Sequence, residues 1–298
     1  MNKIVFLLAL LVYSFAWPSL WAEHQHSLLC RHWSQFPGEI DTTTQRYPTE
    51  RQVDVLDLAL DVTPDFKNRR VSGTATITFQ TMLKPVGQLR LDAYDLEISK
   101  VTSGPKIASW ENTDRALLIR FEKPIPPMRK GKLSITYEAE PVKGLYFRTP
   151  ELGYKKSDMH IWTQGETIEA RHWFPCFDAP NEFFTSSITC HVPKDMTVLS
   201  NGRRAGEKID PKTGLKAVTW IQEKPHVNYL ISLVAGYFEK ITEMHGDLSM
   251  SFWTPPSEFV EAANSFRETK QCMEYFEKEI GVPYPWAKYD QVCVQDFN

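Results

Sequence analysis

The densest run of chemistry-bearing residues is TQGETIEARHWFPCFDAP, Thr163 to Pro180. It holds Glu166, Glu169, Arg171, His172, Cys176 and Asp178 beside Trp173, Phe174 and Phe177. Glu166, Glu169 and His172 are three apart, so on a helix they would line up as a shallow stripe of metal ligands. Helix-borne zinc sites instead place two His four apart, as in HExxH, and no HExxH occurs in the 298 residues. Pro175 also argues against a helix here, because it lacks the N–H and crowds the turn before it. A metal site is therefore not expected in this run.

His172, Cys176 and Asp178 are the residue types of a thiolate nucleophile with its base and orienting acid. A Cys four residues after a His has no geometric guarantee of contact, and no oxyanion-hole signal accompanies it. The structural reading is that Arg171 and Asp178 form a salt bridge that fixes a loop, buried by the aromatics. The chain has no G-x-G-x-x-G, P-loop or G-x-S-x-G, so nucleotide binding and the serine-hydrolase elbow lack support.

The elements that must position this run are mostly strands. Val71, Gly73, Ala75, Ile77 and Phe79 alternate strictly with polar residues, and Leu56, Leu58, Leu60 and Val62 do the same. Period two is the mark of a half-buried strand. Further strands are expected at 87–92, 116–121, 132–139, 186–193, 196–200, 216–222, 228–240 and 247–253, with turns at 129–132 and 201–202. Many short strands with few helices point to a mainly β chain built as an antiparallel β-sandwich. After Pro255-Pro256 the pattern changes. Ser257 can cap a helix to about Ile280, stopped by Gly281 and Pro283, and a last strand-like segment covers 289–297. A lone helix and an unpaired strand cannot make a domain, so the chain reads as truncated soon after its second domain begins.

Composition agrees with a folded chain: 42% hydrophobic, 24% charged, net charge −3. No long basic or acidic block occurs, so neither nucleic acid nor an acidic membrane surface is suggested as a partner. The first residues carry Lys3, an apolar run from Ile4 to Trp17, then Pro18 and Ala22. This is the layout of an export signal, and the run is too short to span a bilayer stably. Residues 1–22 are thus expected to be cleaved, with 23–48 a polar linker, 49–255 the sandwich and 256–298 the start of the second domain. The five cysteines are odd in number and scattered, which is not a disulfide framework.

Several ordered segments resemble the aminopeptidase N family of zinc metallopeptidases, the gluzincin aminopeptidases. They are Leu56 to Val62, Val71 to Ile77, Gly144 to Phe147, Thr163-Gln164-Gly165-Glu166, Ala170 to Pro180, Phe276 to Pro285 and Val294 to Asn298. The family typically has T-Q-x-E followed by A-R-x-x-F-P-C-x-D-x-P, and a segment like 294–298 leads into G-[AG]-M-E-N. The resemblance implies a saddle-like N-terminal β-sandwich followed by the first helix and strand of a truncated thermolysin-like catalytic domain. It implies that Glu166 binds the free α-amino group of a peptide and that Gln164 lines the pocket for its first side chain. Residues Arg171 to Pro180 would support that loop.

The zinc ligands, the water-activating Glu, the oxyanion Tyr and G-[AG]-M-E-N are absent from these residues. Zn would be bound by the missing catalytic domain, and this chain alone would be inactive. His172 stands where the family often has Arg, and Ala179 where it often has Glu. The implied function is the N-terminal part of an exported aminopeptidase, periplasmic or extracellular, whose partners are peptides with a free N-terminus. The alternative is a non-catalytic β-sandwich binding module of the same descent. Epoxide hydrolysis on the same scaffold stays open, as do residue specificity and oligomeric state.

Overall fold

A computed structural model describes residues 51–297 of the chain. The export signal expected at 1–22 and the linker expected at 23–48 lie outside the described residues. The alternating segments read from sequence become β1 (Val53–Asp65) and β2 (Arg70–Thr81), antiparallel partners. Their turn is set by Asp65, whose carboxylate accepts the Asn68 N–H at 3.0 Å and the Asn68 amide at 2.7 Å. β3 (Val86–Asp92), β4 (Leu96–Ser103), β5 (Ile107–Asn112), β6 (Ala116–Ile125) and β7 (Lys130–Ala139) follow. Then come β8 (Leu145–Arg148), β9 (His160–Thr163), β10 (Phe183–Val192), β11 (Thr197–Ser200), β12 (Arg203–Ile209), β13 (Lys216–Val227) and β14 (Leu233–Gly236). A terminal group holds β15 (Glu239–His245), β16 (Leu248–Thr254), α1 (Ala262–Phe266), α2 (Thr269–Ile280) and β17 (Tyr289–Val292).

The widest sheet has seven strands in the order β12-β13-β10-β1-β2-β7-β4. A four-stranded sheet, β11-β14-β9-β8, and a three-stranded sheet, β3-β6-β5, contribute to the same core. That core joins Leu60, Ile77 and Ile135 of the wide sheet to Leu91 and Ile119 of one partner and Leu145, Ile161 and Leu233 of the other. The chain is mainly β, as the alternation predicts. Pairing is antiparallel except for β1 with β10 and β16 with β17, which run parallel.

Four sequence expectations need correction. The strand expected over 228–240 is broken: Asn228–Leu230 is a 3-10 turn, and β14 and β15 belong to different sheets. The Asn228 side chain turns inward to Asp178 and Cys176, so the chain leaves the wide sheet there. The helix expected over 257–280 is a 3-10 turn (Pro256–Glu261) followed by α1 and α2. In α1 the Ser265 hydroxyl donates back to the Glu261 carbonyl at 3.0 Å, a bond that competes with the helical ladder and bends it. Gly281 does end α2, in the left-handed region at φ 75.

The last strand is not unpaired, because β17 runs beside β16 from Met250↔Tyr289 to Trp253↔Val292. Apolar exposure remains on α2, where Tyr275, Phe276 and Ile280 face outward. Finally, the turn expected at 129–132 lies earlier, around Met128 (φ 57), and Gly131 is inside β7. Gly131 is there because the Phe79 ring occupies the space its side chain would need.

Candidate functional site

β9 delivers Thr163 to the middle of the four-stranded sheet, where its hydroxyl accepts the Leu233 N–H at 2.8 Å. The next residue extends the ladder on the other side, Gln164 N–H donating to the Gly144 carbonyl at 3.0 Å. Gly165 then passes against Tyr229 so closely that a Cβ would lie 2.6 Å from the Tyr229 carbonyl oxygen. Only glycine fits there. The chain turns, Glu169 N–H bonding Gly165 O at 3.0 Å, while the Gln164 side-chain oxygen accepts the Glu166 N–H at 3.2 Å. Gln164 is half-buried and Glu166 exposed. The Glu166 carboxylate has no ion pair among the described residues. The Glu166–Thr167 peptide is cis.

The aromatic half of the run is a buttress. Ala170–His172 forms a 3-10 turn, and Trp173 and Phe174 behind it are fully buried. The Arg171 guanidinium donates from Nε to Asp178 Oδ2 at 2.8 Å and from Nη2 to the Asp178 carbonyl at 3.0 Å. Its backbone N–H reaches the same carboxylate at 3.2 Å, and Tyr94 lies under the guanidinium at 5.0 Å. Burial opposes the charge on Arg171, but the hydrogen bonds and the attraction of Asp178 and Asp92 outweigh it and hold its pKa above the ordinary value. Asp178 Oδ1 takes a further bond from Asn228 at 2.8 Å. The expected Arg171–Asp178 pair is therefore present, and it ties the loop to β3 and to the turn after β13.

His172, Cys176 and Asp178 do not assemble into a nucleophile. His172 faces Tyr94 and Glu169, and Cys176 is pinned by two backbone bonds to Asp92. Burial raises the Cys176 thiol well above its usual range, which leaves no thiolate to attack with. The Glu166, Glu169 and His172 stripe does not converge either, since Glu166 is turned to solvent while Glu169 pairs with Lys143.

Sequence reasoning missed a second set of residues, on β9, the strand that ends just before Gln164. His160 and Trp162 alternate with Ile161 and Thr163, so they share one face of β9, and Gln164 follows directly after the strand. On that face His160 Nε2 accepts the Gln295 N–H at 3.3 Å, and Trp162 packs on Phe297 with ring centroids 5.2 Å apart. The segment Gln295 to Phe297 thus runs along β9 toward Gln164. Arg148, from the paired strand β8, holds it by donating to Gln295 O at 2.9 Å and to Asp296 O at 3.3 Å. The Tyr146, Tyr154 and Trp162 rings surround the guanidinium at 5.3 to 5.9 Å, and Tyr154 hydrogen-bonds Asp296. Burial lowers the pKa of His160, and its Nδ1–H donates to Asp158 O at 2.6 Å, so the ring is neutral with Nε2 free to accept. The one available signal was Arg148 itself, one residue past the Gly144 to Phe147 segment.

Residues 45–230 match the peptidase M1 N-terminal domain. The chain belongs to the M1 aminopeptidase family. Aminopeptidase M1 of Arabidopsis thaliana is 30% identical over 204 residues, covering 67% of this chain and 22% of that one. Leukotriene A-4 hydrolase of Xenopus laevis is 25% identical over 266 residues, covering 84% and 41%. Probable aminopeptidase 2 of Sulfurisphaera tokodaii is 28% identical over 249 residues, covering 82% and 30%. The chain thus spans less than half the length of these M1 relatives, and its match falls on the family's N-terminal domain. The mainly β architecture is what that assignment requires.

Proposed function

We propose that this chain is the substrate-amino-terminus reader of an exported zinc-dependent aminopeptidase, with Glu166 as the reading group. The observation that carries the proposal is the state of Glu166: a carboxylate with no cation partner among the described residues, on a loop fixed from both sides. Gly165 against Tyr229 and the Gln164–Glu166 bond set its position, and the Arg171–Asp178 buttress holds the far end. A preorganised, unpaired carboxylate is suited to a peptide's α-ammonium, which it meets through charge-assisted hydrogen bonds. A blocked N-terminus lacks that charge, so free amino ends are selected. Gln164, half-buried beside it, lines the space for the first side chain.

Gln295 to Phe297, laid along β9, supports the same reading. In this proposal the residues that follow in a longer protein continue toward Gln164 and Glu166 and complete the cleft. The proposed boundary between sandwich and catalytic domain stays at 255/256, at the Pro255-Pro256 pair that follows β16, and the small apolar cluster of Met250, Phe252 and Met273 spans it. The family implies zinc, but among the described residues no three His, Cys, Asp or Glu side chains gather as ligands. These residues offer no ligand set for the ion, and in this proposal the catalytic domain of a longer protein would hold it. Export, to the periplasm or outside the cell, rests on the leader-like residues 1–22.

The test is to assay purified 1–298 and the longer gene product on an aminoacyl p-nitroanilide with and without zinc. The expected result is turnover only by the longer protein. Zinc-dependent turnover by 1–298 would contradict it. Inactivity of both would leave the sandwich as a non-catalytic binding module.

A further inference from the structure

Charges nearly cancel over the whole chain, but not at the end of the sandwich where β6 turns into β7. That turn is lashed to the end of β2: Thr81 N–H donates to Arg129 O at 3.0 Å, Met128 N–H to Thr81 O at 3.1 Å and the Thr81 hydroxyl to Pro126 O at 2.6 Å. The β4–β5 turn joins it through Gly104 N–H to Lys132 O at 3.0 Å and Glu122 N–H to Lys106 O at 2.9 Å. Between the turns runs a groove of about 790 Å³. Its lining includes Lys106, Lys123, Arg129, Lys130 and Lys132 against one carboxylate, Glu122. All five cations are exposed, and none has an ion-pair partner among the described residues.

Large apolar side chains project at the same end. Leu83 is 83% exposed and Met128 60%. They are neighbours because Met128 N–H also bonds Met82 O at 3.2 Å, one residue before Leu83. Pro105 and Pro126 stiffen the turns, which lowers the entropy lost when they dock. Like charges gathered without partners repel one another, so a partner of opposite charge would relieve a cost present in the free protein. A small soluble anion would be held best by recessed, hydrogen-bonded cations. Here the cations stand on long exposed stems around protruding apolar tips, which suits a charged interface with an apolar layer beneath it.

We propose that this end of the sandwich docks on the surface of an anionic phospholipid bilayer. Leu83 and Met128 enter the headgroup layer, and Lys106, Lys123, Arg129, Lys130 and Lys132 meet the lipid phosphates. Among the described residues no helix is long and apolar enough to cross a membrane.

The experiment measures partition of the full chain onto phosphatidylcholine vesicles with and without about 30% phosphatidylglycerol, at about 0.15 M salt. The apolar run 4–17 would favour both vesicle types alike, so the ratio between them is the readout. Binding to the anionic vesicles should be stronger by about tenfold or more. The triple variant K123E/K130E/K132E should bring the ratio close to one with an unchanged circular dichroism spectrum. L83S/M128S should weaken anionic-vesicle binding several-fold while keeping its salt dependence. The proposal is overturned if the triple variant leaves the ratio unchanged, if L83S/M128S has no effect, or if a soluble sulfated polysaccharide binds this groove and the vesicles do not.

Discussion

Gly165 lies so close to Tyr229 that any side chain at 165 would strike the Tyr229 carbonyl. The contact joins the loop bearing Gln164 and Glu166 to the 3-10 turn between β13 and β14, two segments far apart in sequence. A single added methyl must therefore push the Glu166 loop off its support. Gly165→Ala is expected to destabilise the chain by about 1–3 kcal/mol, the range for overpacking a well-filled site. A denaturant midpoint equal to wild type would show that the loop yields without cost.

The Arg171–Asp178 pair should be far more sensitive than a surface ion pair. Their side chains are 11% and 1% exposed, and removing one partner leaves the other charge stranded. Asp178→Asn is expected to cost about 3–5 kcal/mol. Arg203→Met, on an exposed pair with Glu223, should cost under about 1 kcal/mol. Equal losses in urea unfolding would contradict the buttress.

Acid should loosen the sandwich before its carboxylates titrate. Burial lowers the pKa values of His160 and His226 below the usual 6.5. A depressed histidine favours the folded state above the unfolded value, and that contribution falls away as pH drops below about 6.5, because the unfolded chain then takes up the proton first. Protonation of His160 also removes the acceptor for the Gln295 N–H. Unfolding free energy should decline between about pH 7 and pH 5. His160→Gln, weaker at neutral pH, should decline less. Parallel pH curves for the two proteins would assign the effect elsewhere.

How far the sequence carried depended on which faces are buried. β1 and β2 bury one face each, so strict alternation revealed them. β12 is exposed at every position and β5 at nearly every one, and edge strands of that kind carry no apolar period to read. β9 was invisible for the opposite reason: His160, Ile161 and Trp162 are all buried, so no alternation survives. The Arg171–Asp178 pair was legible because seven residues separate its members within one aromatic loop. The Arg148 grip on Gln295 was not, because its partners lie 147 residues apart. The basic groove escaped for the same reason, its cations being split between residue 106 and residues 123–132 and gathered only by pairing of β4 to β7 and β5 to β6.

Export makes a prediction at the other end of the chain. Expressed in a host that processes secretory leaders, the protein should be recovered outside the cytoplasm with Glu23 as its first residue. N-terminal sequencing that begins at Met1 would contradict a cleaved signal.

The role of Glu166 is tested most directly by Glu166→Gln in the longer gene product, with kcat/KM measured on a peptide with a free N-terminus and on its N-acetylated counterpart. Loss of a charge-assisted bond to the α-ammonium should lower kcat/KM on the free peptide by about tenfold to a hundredfold and nearly abolish discrimination against the acetylated one. Unchanged kcat/KM with discrimination intact would contradict the assignment of Glu166 as the group that reads the amino terminus.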